Sequence, residues 1–177
     1  SECTAADPYS YTWYMDSGSG YAPGPGSNTV QTNYSPGALS VGSYQFIRVV
    51  DSGSCPNDTS NIVSINVFEN PVVEISPNPI VACVGQTVDL SSTLTAGGGA
   101  IDTYLWSVTG GSLSNSSVFD PTYTAPNSTG SYTATLNVTD TNGCTGVATA
   151  PITVNPTVSI DNPPTDETIC SGDAINY

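Results

Sequence analysis

Apolar and polar residues alternate along much of the chain, most clearly between positions 132 and 139. There Tyr, Ala, Leu and Val occupy the even positions, and Thr or Asn occupies the odd ones. A period of two is the pattern of a strand with one buried face and one solvated face. Similar stretches recur, separated by turn pairs such as Gly110-Gly111 and Asn142-Gly143. Roughly seven short strands in the second half of the chain predict a two-sheet β-sandwich.

The chain also contains an internal repeat with a period of 85 residues, the distance from Asn70 to Asn155. This period is the size of one small sandwich. We therefore expect an all-β chain in three parts: a first module over residues 1–69, a second over 70–155, and a linker with the first strand of a following module over 156–177. The matched landmarks are Trp13 with Trp106, Tyr44 with Tyr132, Cys55 with Cys144, and Cys83 with Cys170.

The last residues of the sequence repeat the pattern of an earlier strand. Cys170–Tyr177 aligns without a gap on Cys83–Leu90, with apolar residues at the same two strand positions. We expect the first module to lack its early strand and to take it from residues 170–177 of a preceding repeat. Either the repeats are covalently continuous, or separate subunits donate this strand to their neighbours. A self-contained first module, with its early strand from residues 1–8 and Cys3 bonded to Cys55, would contradict both forms.

Four aromatic residues are predicted to hold the cores together. Trp106 and its counterpart Trp13 are expected at the centre of a sandwich rather than in a ligand platform. Tyr44 and Tyr132 each follow Gly-Ser at the start of a strand. This position is typical of a corner tyrosine, whose hydroxyl bonds back to the chain.

The charge of the chain excludes many functions. Its 177 residues include 15 Asp or Glu, one Lys or Arg and no His, for a net charge of −14. Without His or Lys the chain cannot form a Ser-His-Asp triad, a His-ligated zinc site, a Schiff base or a P-loop, so we expect no enzyme. The charge would repel nucleic acid and anionic membrane surfaces. No apolar run is long enough for a transmembrane helix, so membrane insertion is not expected either.

The single basic side chain belongs to Arg48. Counted back from Asp51, it aligns with Asn137, which the alternation places on the outer face of a strand. We therefore expect Arg48 on a solvated sheet face rather than in a binding site.

The cysteines show no C-x-x-C spacing, which argues against a zinc ribbon or a thioredoxin-type site. Cys83 precedes the first core strand of the second module and Cys144 lies in a later hairpin, so both are expected near the rim. A disulfide between them would close a loop of about 60 residues and stabilise by about 4 kcal/mol. By the repeat, Cys170 would bond to Cys55 of the next copy and leave Cys3 over; reduced, buried cysteines are the alternative. Disulfides would imply an oxidising compartment.

Carboxylates near the module junctions raise the question of calcium. Oxygen ligands are what this cation prefers, but the sequence has no D-x-D-x-D-G loop, and scattered surface acids are the ordinary explanation. We expect no cofactor, with calcium at the junctions as the alternative. A glycosidase would need two carboxyl groups across a cleft, for which two small sandwiches leave little room. The junction residues are Glu69, Asn70 and Glu74, and Asp161, Asp166 and Glu167.

Five Asn-x-Ser/Thr sequons are possible glycosylation sites. In a chain this rich in Asn, Ser and Thr, about four arise by chance, so they say little. They are Asn33, Asn57, Asn115, Asn127 and Asn137.

The second module resembles a known type of domain. From Cys83-Val-Gly-Gln86 through Tyr104-Leu-Trp-Ser107 to Asp140-Thr-Asn-Gly-Cys144, it resembles the PKD-like and immunoglobulin-like modules found in tandem in very large surface proteins of Bacteroidota. The first module, with Tyr11-Thr-Trp-Tyr14, looks like the bacterial immunoglobulin-like modules that accompany them. The resemblance implies an extracellular, cell-surface protein exported by type IX secretion.

The function expected from these observations is that of a structural repeat in an extracellular filament or giant adhesin, acting as stalk and adhesive surface. Linked modules that contact mainly their neighbours extend as a rod. The partners would be copies of the chain itself and surface glycans. One alternative is a carbohydrate-binding accessory region of a secreted enzyme, and another is a pilin-like subunit that polymerises by strand donation. In the carbohydrate-binding reading, the sugar-stacking residues would be Tyr9, Tyr11, Tyr14 or Tyr21.

Overall fold

A computed structural model describes residues 9–27, 32–52, 56–95, 97–159 and 171. These residues contain strands and no helix, which confirms the all-β fold. The strands are β1 (Ser10–Asp16), β2 (Ala22–Pro23), β3 (Gly42–Asp51), β4 (Asp58–Thr59), β5 (Val63–Val67), β6 (Val72–Ser76), β7 (Ile80–Cys83), β8 (Thr87–Asp89), β9 (Ser91–Thr95), β10 (Ile101–Val108), β11 (Ser112–Leu113), β12 (Thr122–Thr124), β13 (Gly130–Asp140) and β14 (Thr145–Asn155).

Strands β1 to β5 form a single five-stranded sheet, here called the first sheet. Its order is β2-β1-β3-β4, and β5 also pairs with β3. The β1–β3 pairing is antiparallel and sets Trp13 opposite Arg48. The β3–β5 pairing sets Tyr44 opposite Ile65. Within the described ranges before β6, every strand belongs to this one sheet.

Strands β6 to β14 form three further sheets, and this part of the fold is called the β6–β14 sandwich. One sheet has the order β10-β13-β14-β7, the second β11-β12-β8, and the third joins β6 to β9. Strand β7 pairs with β14 in parallel, with Ile80 opposite Ile152. The pairings of β11 with β12 and of β12 with β8 are antiparallel.

The buried core lies almost wholly in the β6–β14 sandwich. Buried residues alternate with half-buried ones along β13 and mostly with exposed ones along β14, as the period of two predicts. Of fifteen buried hydrophobic side chains in the described residues, fourteen belong to this sandwich and one, Phe46, belongs to the first sheet. The largest of those that are fully buried are Trp106, Tyr123, Ile80, Leu90, Leu136 and Ile152.

The chain divides into two compact units. The first takes in the described residues up to Val72 together with Thr95–Asp102 and Thr139–Gly146. The second takes in Val73–Leu94, Thr103–Val138 and the described residues from Val147 onward. The predicted module boundaries at 69/70 and 155/156 stay predictions.

The expected disulfide between Cys83 and Cys144 is wrong, because both thiols are free. Cys83 pairs with Asn155 at one end of β14, and Cys144 immediately precedes Thr145 at the other end. Eleven residues of extended strand span about 35 Å, far beyond the roughly 7 Å between Cα atoms that a disulfide tolerates. Cys3, Cys55 and Cys170 lie outside the described residues, so the pairing of Cys55 with Cys170 and the fate of Cys3 stay predictions.

Candidate functional site

Trp106 lies in the centre of the sandwich core and is 2% exposed. Its indole Nε1–H donates to the carbonyl oxygen of Val118 at 3.1 Å, so the only polar atom of the ring is satisfied. Tyr123 is likewise fully buried and donates its hydroxyl to the Gly110 carbonyl at 3.1 Å. Burial raises the pKa of Tyr123, and the neighbouring Tyr132 raises it further. These two rings serve packing and leave no face for a ligand.

Two tyrosine corners recur at equivalent places. The Tyr44 hydroxyl donates to the Ser40 carbonyl at 2.9 Å, and the Tyr132 hydroxyl donates to the Ser128 carbonyl at 3.3 Å. Two residues before each tyrosine, a glycine takes a positive φ, 155° at Gly42 and 152° at Gly130. Because L residues with a side chain rarely adopt this φ, glycine is the residue that allows each corner. Tyr44 and Tyr132 are therefore half-buried structural residues at strand starts.

The first sheet carries an apolar surface that is only partly covered, here called the open face. Trp13 stacks on Tyr34 with ring centroids 5.7 Å apart and planes at 19°, and Tyr34 contacts Phe46 at 6.1 Å. Val63 and Ile65 remain 47% and 39% exposed on the same face. Together with Pro36 these residues line a cavity of about 190 Å³. The Tyr34 hydroxyl donates to the Pro25 carbonyl, and burial raises its pKa.

Arg48 lies on the open face and not on a solvated one, so that expectation is wrong. Its guanidinium carbon sits 5.3 Å from the Tyr11 ring centroid and 5.8 Å from that of Trp13, which are cation–π distances. The segment between corner tyrosine and Asp is one residue shorter in the first repeat. Counted forward from Tyr44, Arg48 therefore matches the buried Leu136, and this register is the one the sheet adopts.

The surroundings of Arg48 form a polar end of the open face. Its Nη1 donates to the Thr32 carbonyl at 3.1 Å, while its buried Nε has no partner among the described residues. Asn33, Asn61 and Ser60 help to line an adjoining cavity of about 400 Å³. A buried guanidinium N–H without an acceptor is costly, so this end of the face is suited to an incoming acidic or carbonyl oxygen.

The four tyrosines considered for sugar stacking do not gather on one surface. Tyr11 and Tyr14 project to opposite faces of β1, because they are an odd number of positions apart in one strand. Tyr21 donates its hydroxyl to Gln45, on the same side as Tyr14. Tyr9 is 58% exposed just before the strand.

Four of the five sequon asparagines are exposed, and Asn137 is half-buried in β13. Asn115 accepts the Ser117 N–H through its side chain, and Asn33 borders the cavity beside Arg48. The exposed asparagines are Asn33, Asn57, Asn115 and Asn127.

Asp140 is a buried carboxylate, 2% exposed, at the hairpin between β13 and β14. Its Oδ1 accepts the backbone N–H groups of Asn142 at 2.9 Å and Cys144 at 2.8 Å, and so braces the turn. Its Oδ2 is buried with no partner among the described residues. The described ranges contain no group of three or more His, Cys, Asp or Glu placed to hold a metal. Asp161, Asp166 and Glu167, expected at one junction, lie outside them.

Sequence reasoning missed the roles of Tyr34 and Asp140. Tyr34 follows a stretch without strand pattern, and only the fold brings it onto Trp13. Asp140 is visible as the last residue of an alternating strand, at a position whose parity is inward. An Asp side chain commonly accepts the backbone N–H groups of a turn that follows it. An inward-facing Asp directly before a turn was therefore the available signal.

One protein family model matches the second half of the chain. Residues 68–154 match the PKD domain family, and no curated protein matches the sequence. Solved structures of similar fold include an uncharacterised nucleoside hydrolase-related protein from Saccharophagus degradans associated with carbohydrate metabolism, with a TM-score of 0.42, 21% identity, and coverage of 52% of this chain and 26% of that one. A structure that describes the basis of Dscam isoform specificity has a TM-score of 0.38 and 17% identity, and the match covers 83% of this chain and 38% of that one. The fibronectin(III)-like modules of Clostridium thermocellum CbhA have a TM-score of 0.39 and 14% identity, and the match covers 88% of this chain and 83% of that one.

The chain thus spans about a quarter of the first of these proteins and 38% of the second. The PKD match and the all-β fold support PKD-like and immunoglobulin-like modules, which are typical of extracellular proteins with adhesive or structural roles. In the part of the chain that the structure describes, no helix is long and apolar enough to span a membrane.

Proposed function

We propose that the chain is a structural repeat of an extracellular filament or giant cell-surface adhesin, in which it serves as stalk and adhesive surface. The observation that carries this proposal is repetition along one chain. A tryptophan-bearing strand and a Gly-Ser-Tyr corner occur in the first sheet and again in the sandwich, with the same tyrosine-to-carbonyl bond. Modules repeated in series suit a protein that must reach away from a surface.

The burial and placement of the aromatic side chains favour a stalk over a carbohydrate-binding surface. Trp106 is buried in the core, and the hydroxyls of both corner tyrosines donate hydrogen bonds to backbone carbonyls. Tyr11 and Tyr14 project to opposite faces, so they do not make the flat patch that stacks on sugar rings. The carbohydrate-binding alternative gains no support from this arrangement.

The charge and the chemistry of the chain fit exposure to the medium. A net charge of −14 with no Lys keeps a long protein soluble and leaves Arg48 as the only bond for trypsin-like proteases. That bond lies within β3, and the Arg48 backbone N–H donates to the Ser60 side chain at 2.9 Å. We assign no enzymatic activity. The proposal includes Bacteroidota origin and type IX export, which depend on the sequence resemblance alone, and copies of the chain and surface glycans as partners.

Immunogold electron microscopy of the producing cells tests the proposal. Antibody raised against the purified chain should label extracellular filaments or stalks, and cells from which the coding sequence has been deleted provide the control. Label confined to the cell interior would contradict the proposal. Label released into the medium together with polysaccharide-degrading activity would instead favour the accessory region of a secreted enzyme.

A further inference from the structure

The open face is built like one wall of a sandwich core. In the β6–β14 sandwich the face that holds Trp106 is covered, and Trp106 is 2% exposed. On the first sheet the equivalent tryptophan is half-buried, and Val63 and Ile65 beside it are 47% and 39% exposed. A contiguous exposed apolar face of this kind marks an interaction surface.

In the sandwich, two strands outside the sheet that contains β10, namely β8 and β9, come from the segment just before β10. Strand β8 and the residues after it point Leu90 and Ser92 inward, at 1% and 6% exposure. The segment opens with a turn in which the Gln86 N–H donates to the Cys83 carbonyl and Gly85 takes a φ of +71°. The sequence of a covering segment is therefore a cysteine, a glycine two residues later for the turn, and apolar residues five and seven positions after the cysteine.

The same chain contains one more segment with this sequence, Cys170–Tyr177. Gly172 stands at the turn position of Gly85, and Ile175 and Tyr177 stand at the inward positions of Val88 and Leu90. In the sandwich the covering segment precedes the tryptophan strand. Cys170–Tyr177 instead lies later in the sequence than β14, whereas the strand with the equivalent tryptophan, β1, lies at Ser10–Asp16.

Charge favours the same occupant. Arg48 is the only basic side chain of the protein, and its buried Nε has no acceptor among the described residues. The segment Cys170–Tyr177 carries Asp173 and no basic residue. An acidic strand laid beside Arg48 would supply the missing acceptor.

We propose that the open face binds the segment Cys170–Tyr177 of a second copy of this chain, with Ile175 and Tyr177 packed against Phe46 and Ile65. The strand completes the first module as β8 completes the sandwich. This inference deepens the proposed function and rests on it: it names the contact through which successive copies meet.

The test uses the full chain and two single substitutions in sedimentation velocity across a wide range of concentration. Wild-type protein should form chains that lengthen with concentration. Ile175→Asp spoils the donated strand, and Ile65→Asp spoils the open face. Each should weaken self-association at least about a hundredfold, because a carboxylate would be buried in an apolar contact. Leu105→Asp, at a residue 57% exposed on β10, is the matched control and should associate like wild type.

Mixing the two variants distinguishes strand donation from general stickiness. Each variant retains the half that the other lacks, so an equimolar mixture should form one-to-one dimers and nothing larger. Dimers also show that both variants are folded. A wild-type protein that stays monomeric at every concentration, a mixture without dimers, or a Leu105→Asp protein that dissociates like the other two would overturn the inference. Because labelling of cells does not depend on association of the purified chain, the stalk function can stand if this contact fails.

Discussion

The β6–β14 sandwich and the first sheet are two versions of one strand framework, and they differ in whether the apolar face is covered. Among the described residues, fourteen hydrophobic side chains of the sandwich are buried, and β13 alternates between buried and half-buried positions. Among the described residues of the first sheet, Phe46 is the one buried hydrophobic side chain. The corner tyrosines are nevertheless alike in both. Local turns therefore form without a complete core, whereas deep burial requires the second layer.

The largest expected difference is in the tryptophans. Trp106→Ala should cost about 3 to 5 kcal/mol of unfolding free energy, because it empties a sealed core. Trp13→Ala should cost about 1 to 2 kcal/mol, since it removes a stacking contact with Tyr34 at a partly exposed site. Urea unfolding followed by circular dichroism and peptide-resolved hydrogen exchange measures both.

The two tryptophans should also respond differently to protein concentration. If the open face is covered by a second copy, the loss caused by Trp13→Ala should grow as concentration rises, whereas the loss at Trp106 should not. Trp106→Phe serves as a milder variant if the alanine protein does not fold. Equal losses for both tryptophans in dilute solution would mean that the first sheet is covered within one chain.

The turn after β13 should give the next largest effect. Asp140→Ala removes the acceptor for two backbone N–H groups and should cost about 2 kcal/mol. Asp140→Asn keeps an acceptor oxygen and should cost less. The control is Asp102→Ala at an exposed position, for which no measurable change is expected. A neutral Asp140→Ala variant in thermal unfolding would show that the turn does not depend on this carboxylate.

The corner tyrosines test what the two regions share. Tyr44→Phe loses one hydroxyl-to-carbonyl bond and should cost about 1 kcal/mol. Tyr132→Phe loses the equivalent bond and also a hydrogen bond with the Ser128 hydroxyl, so it should cost about 1 kcal/mol or slightly more. Local hydrogen exchange around each corner measures the two effects separately. An effect at Tyr132 with none at Tyr44 would mean that the corner matters only beneath a complete core.

Alkaline pH should weaken both regions by a smaller amount. The pKa values of Tyr34 and Tyr123 are raised by burial, so the folded chain keeps phenol protons that the unfolded chain loses above about pH 10. The stabilisation is complete below that pH and is lost as pH rises through the folded-state pKa values. Tyr123→Phe should reduce the slope of stability against pH in this range. An unchanged slope would exclude Tyr123 as a contributor.

The smallest expected effect is at the free thiols of the sandwich. Cys83→Ser and Cys144→Ser should each change stability by less than about 0.5 kcal/mol, because neither residue is in a disulfide. Alkylation of the denatured chain without reductant, followed by peptide mapping, should find both cysteines modified. A linked Cys83–Cys144 peptide would contradict the structure.

The strands and the sandwich core could be predicted because alternation records which side of a strand is buried, and the burial of Leu136 follows from it directly. The burial of Trp106 follows instead from its place as the central aromatic of the module. The inward or outward direction of Arg48 could not be predicted, because the segment between the corner tyrosine and the following Asp is one residue shorter in the first repeat than in the second. Counting from Asp51 placed Arg48 outward, and counting from Tyr44 places it inward, as observed. The predicted Cys83–Cys144 disulfide is wrong because the sequence places each cysteine near an end of the sandwich without showing that the two ends are opposite ones. The analogous pairing of Cys55 with Cys170, both outside the described residues, loses the support it drew from this repeat.

The parallel pairing of β7 with β14 gives the sandwich a particular response to tension. A pull applied to the chain before β7 and after β14 acts along two adjacent strands in opposite directions. The register from Ile80 opposite Ile152 to Cys83 opposite Asn155 is then loaded in shear, and its hydrogen bonds must yield together rather than one after another. Stretching of this kind meets its main resistance at the sheet edge where β7 lies, while the hairpin braced by Asp140 carries little of the load.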